Sequence, residues 1–250
     1  MKPIALQLYT LREAAKEDFP GVLRAVAEIG YKGVEFAGLQ GHDPREIAKL
    51  INDLGLEVSS SHTPFPTPEN VQQLVDTELA LGNRRLISGL GPDDFKTVDA
   101  AKQAAAKFSQ AAELLKPHGM TFGVHNHEWE FITADGRLAF DVLMEEAPDI
   151  FSELDVYWCA YGKSDPVKVV ERHKSRMPLL HIKDGMLQDR TAQVAVGSGL
   201  LDMPAIIRAA DPSVLEWLIV ELDHCTTDML EAVRESYTYL TTSGLAEGNK

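Results

Sequence analysis

Short β-rich runs alternate with amphipathic stretches of roughly ten to twenty residues from the start of the chain, the pattern of repeated βα units on a parallel sheet. Eight runs fit strands: residues 4–9, 33–36, 57–61, 85–88, 121–125, 152–157, 179–183 and 217–221. The punctuation between them agrees. Gly30, Gly55, Gly82 and Gly119 each follow a helical pattern where a left-handed C-terminal cap is needed. Asp43-Pro44, Thr67-Pro68 and Asp165-Pro166 place a capping side chain before a proline at the first helical position. Asp93-Asp94 starts another helix, and Glu145-Glu146 reads as a solvated helix face. Residues 186–201 are mixed and glycine-containing, and predict an elaborated loop after the seventh strand. Residues 241–250 are small and polar and predict a frayed, flexible tail, which leaves 1–240 for the folded domain.

Eight alternations also suit an open doubly wound sheet, but the first strand is followed by Tyr9-Thr10-Leu11-Arg12, with no glycine turn to admit a pyrophosphate. The expected fold is therefore α/β, a single (β/α)8 barrel. With 250 residues, 44% hydrophobic, the chain can bury one such core. The net charge of −14 repels phosphate backbones and anionic headgroups, so neither nucleic acid nor a membrane is expected as a partner. Cys159 and Cys225 form no zinc knuckle or redox pair. The opening run is broken by Gln7 too soon for a signal peptide, and no apolar run is long enough to span a bilayer. A cytoplasmic location is expected, and a homo-oligomer is compatible with a barrel of this size.

In such a barrel, chemistry sits at the C-terminal ends of the strands. Ligand-type residues recur there: Gln7 and Tyr9 at the first strand, Glu35 on the second, His62 past the third, His125 and His127 at the fifth. Asp155 lies on the sixth, His181 and Lys183 on the seventh, Glu221 and Asp223 on the eighth. Residues two apart share a face of a strand. Apolar runs such as Leu179-Leu180 and Leu218-Ile219-Val220 would bury these polar groups, and a metal ion satisfies carboxylate and imidazole together. Taken one at a time, His181 is equally well a core histidine, Asp155 a turn cap and Glu35 a salt-bridge partner. A single site accounts for all of them at once. Its most concrete form is a carboxylate from 125–131 with Asp155, His181 and Glu221. The donors suit one divalent ion, Mn2+ by preference, with Mg2+, Co2+ or Zn2+ as alternatives. A backbone phosphate site at Gly197-Ser198-Gly199 is less expected than a flexible loop.

The runs Gln7-Leu8-Tyr9-Thr10-Leu11-Arg12, His125-Asn126-His127-Glu128-Trp129-Glu130-Phe131, Leu154-Asp155-Val156-Tyr157-Trp158, His181-Ile182-Lys183-Asp184 and Val220-Glu221-Leu222-Asp223 resemble the sugar phosphate isomerase/epimerase family of xylose isomerase-like barrels. The likeness spans nearly the whole chain, and the fifth- and seventh-strand runs resemble the inosose dehydratase-like and 3-keto-sugar-acting branch. The resemblance implies four metal ligands, with Asp155, His181 and Glu221 as the last three. The first place falls to Glu130 or His125; Glu130 is taken as the ligand, and His125 as a substrate or supporting residue. It also implies a small sugar substrate, isomerised or epimerised through a metal-stabilised enediolate. Glu130 and Glu221 are then the proton-moving groups and Lys183 stabilises charge on oxygen. Gln7, Tyr9, Glu35, His62, His125, His127, Trp129 and Trp158 line the substrate. A lyase or dehydratase acting on an inosose or 3-keto-glycoside is the first rival and a non-catalytic sugar-binding barrel the second. The three-zinc DNA repair enzymes of the same superfamily are disfavoured by the acidic charge.

Overall fold

The computed structural model describes residues 1–250 and has a strand in each of the eight expected places. These are β1 (Lys2–Gln7), β2 (Gly33–Phe36), β3 (Glu57–His62), β4 (Arg85–Ser88), β5 (Thr121–His125), β6 (Phe151–Asp155), β7 (Leu179–Ile182) and β8 (Trp217–Val220). Neighbours pair in parallel, and β8 returns to β1 with Ile4 opposite Leu218, so the sheet closes on itself. The outer helices are α1 (Arg12–Ile29), α2 (Pro44–Asp53), α3 (Val71–Ala80), α4 (Val98–Leu115), α5 (Ala139–Glu146), α6 (Val156–Tyr161), α7 (Pro166–His173), α8 (Met203–Ala209) and α9 (Met229–Thr242). No helix is long and apolar enough to cross a membrane.

The helix signals work as their chemistry dictates. Asp43 accepts from the N–H groups of Arg45 and Glu46, and Asp165 from that of Val167. Gly30, Gly55, Gly82 and Gly119 all have positive φ. Thr67-Pro68 differs: it opens a turn in which Asn70 Oδ1 accepts from Thr67 N, and α3 begins only at Val71.

Two strands end two residues earlier than their apolar patterns predict. Gln7 accepts from Tyr9 N, and Leu8–Leu11 becomes a 3-10 turn. Asp155 accepts from Trp158 N and so starts α6, which takes Val156 and Tyr157 out of the sheet. In both places a side chain bonded to nearby backbone competes with the strand ladder and wins.

The barrel floor is filled by rings set against glycines. A Cβ on Gly123 of β5 would stand 2.2 Å from the Phe151 ring, and one on Gly33 of β2 would stand 2.9 Å from Trp217. Ala5, Ile87, Leu179, Trp217 and Ile219 form the buried cluster inside the barrel. The larger apolar core packs the helices around the outside. Arg85 closes the lower end with an ion pair to Glu216, and the ligand-type residues gather at the upper end.

Two expectations are overturned. The Gly197-Ser198-Gly199 turn is not a loose loop: the N–H groups of Gly197 and Gly199 each donate to Asp184 Oδ2 at 3.0 Å, and Gly185 N donates to Oδ1 at 2.9 Å. The chain's own carboxylate takes the place of an anion. Asp184–Gly185 also pairs with Gln193–Val194, which ties down the loop after β7. Nor is the end of the chain frayed. Ala246–Glu247 pairs in parallel with β1, Asn249 N donates to Gly30 O at 2.7 Å, and Lys32 meets Glu247 at 2.5 Å. Tyr237 Oη donates to Lys250 O at 2.8 Å, so small polar residues dock because the backbone of β1 and the end of α1 offer partners.

Deleting residues 243–250 removes several such bonds, each worth about 1 kcal/mol. The truncated chain is expected to lose about 2–4 kcal/mol, a fall in Tm of about 5–15 °C by thermal unfolding. An unchanged Tm would show the docking to be without energetic weight.

Candidate metal centre

Six of the strands bring ionisable side chains to one place at the upper end of the barrel. Glu35, Glu153, Asp155 and His181 are fully buried, and Glu221 is 4% exposed. Alternation places them: Glu153 and Asp155 are two apart on β6, so both face inward, one layer above the other. Asp155 is level with His181 of β7, and Glu153 with His125 of β5.

The upper layer is a set of mixed donors. One ligand atom from each of His125, Asp155, His181 and Glu221 lies within 4.8 Å of the others. His181 Nδ1 is 3.0 Å from Glu221 Oε2. Lys183 Nζ stands 2.9 Å from Asp155, 2.8 Å from Glu221 and 2.6 Å from Asp223. In the lower layer, Glu153 Oε2 is 2.6 Å from His62 Nε2, 3.2 Å from His125 Nδ1 and 3.1 Å from His181 Nε2. Glu35 Oε1 is 2.7 Å from His181 Nε2 and accepts from Gln7 Nε2 at 2.5 Å, while Ser60 Oγ donates to its other oxygen. His62, His125, Glu153 and His181 form a second, overlapping set of donors.

Charge drives the titration of these groups. Burial works against a charge on Lys183, but Asp155, Glu221 and Asp223 outweigh it and hold the ammonium well above its usual range. His181 is likewise opposed by burial and raised well above the usual imidazole value by Glu153, Glu35 and Glu221. Burial alone would raise Glu221, yet Lys183 and His181 bring it well below. Glu35, pushed up by burial and by Glu153, reaches about 7. Three carboxylates, Asp155, Glu221 and Asp223, thus converge on Lys183, while Glu35 and Glu153 face the histidines His62 and His181. Glu153 Oε1 is buried with no hydrogen-bond partner. Two imidazoles and two carboxylates with surplus negative charge suit a divalent cation, and the absence of a thiolate ligand suits a hard or borderline one.

Glu130, expected as the fourth ligand, is in neither set; His125 stands in its place. Glu130 lies in the 3-10 turn Trp129–Phe131 beyond β5, where Oε2 accepts from His127 N at 2.9 Å and so braces that turn. Burial pushes it up to about 8. Glu35 and Gln7 are fully buried behind His181, away from any position lining a substrate. Trp158 is 2% exposed, with Lys183 and Arg190 over its ring at 5.2 and 5.0 Å, so neither cation leaves that face free for a sugar. Trp129 donates to Leu90 O and stacks on His127, whose neutral form burial favours, with a pKa of about 3. Tyr9, 44% exposed beneath the Arg12 guanidinium, remains at the surface, and His62, partly exposed, joins the lower layer through Glu35 and Glu153.

Sequence inspection missed Glu153, Asn126 and Gln193. Asn126 bridges β5 and β6 through the N–H and C=O of Asp155, and Gln193 Oε1 accepts from Asp223 N at 2.8 Å. Glu153 had a signal: it precedes Asp155 by two residues in a strand. The other two act on backbone across long separations, which no local pattern reveals.

Residues 23–242 match the sequence profile of the xylose isomerase-like TIM barrel family. A sugar phosphate isomerase/epimerase from Parabacteroides distasonis ATCC 8503 is 28% identical, with 98% of this chain and 96% of that chain covered at a TM-score of 0.82. An L-ribulose 3-epimerase is 19% identical (98% and 95% covered, TM-score 0.75), and the probable 3-DHS dehydratase AsbF of Bacillus anthracis 14% (96% and 98%, TM-score 0.77). A search of curated proteins finds no match.

Replacing Lys183 with Met leaves Asp155, Glu221 and Asp223 without their cation, a loss of about 3–5 kcal/mol for a broken buried pair. The Lys183→Met chain is expected to melt lower than the parent without metal, and to gain more Tm than the parent when Mn2+ is added. An equal gain in both proteins would show that the carboxylates do not answer to one positive charge.

Proposed function

The chain belongs to the xylose isomerase-like TIM barrel family, and from that membership we propose that it is a cytoplasmic, divalent-metal-dependent isomerase or epimerase of a small keto-sugar or sugar derivative. The observation that carries this reading is the convergence of His125, Asp155, His181 and Glu221 at four neighbouring strand ends. These four residues would hold the ion, with Mn2+ favoured by the carboxylate-rich donors. The ion, when bound, supplies Lewis-acid stabilisation for negative charge on a carbonyl oxygen.

The chain's own residues supply the rest. Glu221, kept ionised by Lys183 and His181, takes the proton from the carbon next to the carbonyl. Lys183, kept charged by three carboxylates, faces the charge that develops. Glu130, three strands away round the barrel and pushed up to about 8 by burial, is the candidate to return the proton. Asn126 fixes β6 against β5, so that Asp155 and His125 keep their spacing. The loop after β7 reaches over the mouth, where Arg190 meets Glu128 at 3.4 Å, and restricts water.

Glu130 also favours a second reading, elimination. A protonated carboxyl can donate to a departing hydroxyl, as a dehydratase of inososes or 3-keto-glycosides requires.

The test is turnover of a panel of keto-sugars, inososes and 3-keto-glycosides. Chelator is expected to abolish activity and Mn2+ to restore it. Glu221→Gln is expected to lower kcat by about 10²–10⁴-fold, the range for loss of a general base. Full turnover by metal-free protein would refute the mechanism, and sugar binding with no turnover in the parent would identify a binding module instead.

A further inference from the structure

An imidazole can bind an ion only through a nitrogen that carries no proton, and the partner of the other nitrogen decides which one that is. His125 and His181 both belong to the donor set of the ion. Each also has a carboxylate from outside that donor set on one nitrogen: Glu153 lies 3.2 Å from His125 Nδ1, and Glu35 and Glu153 lie 2.7 and 3.1 Å from His181 Nε2, whose Nδ1 faces only Glu221 of the set. The two rings are thus gripped at opposite nitrogens. The topology explains this, because they reach inward from β5 and β7, on either side of the β6 strand that carries Glu153.

We propose that Glu153 and Glu35 are positioning residues that fix the tautomers of the two metal-binding histidines. Glu153 holds the proton on His125 Nδ1, and the pair holds it on His181 Nε2, leaving the opposite nitrogens for the ion. The 3.0 Å approach of His181 Nδ1 to Glu221 Oε2 puts that nitrogen beside a ligand carboxylate. Strand β6 therefore serves two layers: Asp155 binds the ion, and Glu153, two residues below, orients the imidazoles that share it. Glu35 is itself fixed, with Gln7 on one oxygen and Ser60 on the other. His62 completes the lower layer by stacking on His181 with planes 3° apart. This role rests on the metal-centre reading above, and it differs from a rival in which Glu153, His62, His125 and His181 ligate a second ion.

The experiment uses the whole chain, its Glu153→Gln and Glu35→Gln variants, and Zn2+ as a diamagnetic probe. Calorimetry of the parent is expected to give one ion per chain, and each variant is expected to bind 10–100-fold more weakly, as for other carboxylates behind metal-bound histidines. Nitrogen-15 spectra of the zinc-loaded parent should show His125 protonated at Nδ1 and His181 at Nε2, with this order lost in the variants that still fold. Two ions in the parent and one in Glu153→Gln would overturn the proposal and make Glu153 a ligand. So would unchanged affinity, or a proton on His181 Nδ1. Should affinity and tautomers behave as expected while no sugar is turned over, the positioning role stands and the enzymatic reading alone fails.

Discussion

Burying four carboxylates in one barrel mouth, with a fifth, Asp223, at its edge, is the constraint on which the rest of the structure depends. An isolated buried carboxylate is costly, and neighbouring ones repel. Lys183 answers three of them and His181 answers another three, Glu221 being shared. His62 adds a further partner for Glu153 and Glu35, and the mouth still holds more carboxylates than cationic groups. A divalent ion would balance the excess, and in the proposed reaction the same charge would stabilise a developing oxyanion. Stability of the site and its chemistry follow from one electrostatic demand.

The barrel meets that demand by dividing its interior. Trp217 and Phe151 fill the floor against Gly33 and Gly123. The next layer holds Glu35, Glu153 and Gln7, which contact other protein groups and the backs of the histidines. The top layer holds the donor atoms. Loops brace it: Asp184 gathers the amides of the β7 loop, and Gln193 holds the backbone of Asp223. Rigid strands set the ligands, and loop bonds set the rim.

The repeated βα rhythm, the glycine caps and the recurrence of polar residues at strand ends made the barrel legible from sequence, along with the convergence of Asp155, His181 and Glu221 on its mouth. These rest on local period and spacing. What failed rests on competition between local and distant partners. Glu130 fits a ligand by type, but one backbone N–H, that of His127, holds it in a turn outside the donor sets. Glu35 and Gln7 were expected at the substrate and lie behind a histidine, because inward-facing strand residues differ in depth and sequence carries no measure of depth. The tail docks through backbone groups, which composition does not report.

The most direct test of the metal centre is anomalous diffraction from crystals of the chain grown with Mn2+. A single peak bounded by His125, Asp155, His181 and Glu221, with Glu130 outside it, is the predicted result. No peak within the barrel mouth, or one coordinated by Glu130, would contradict the account.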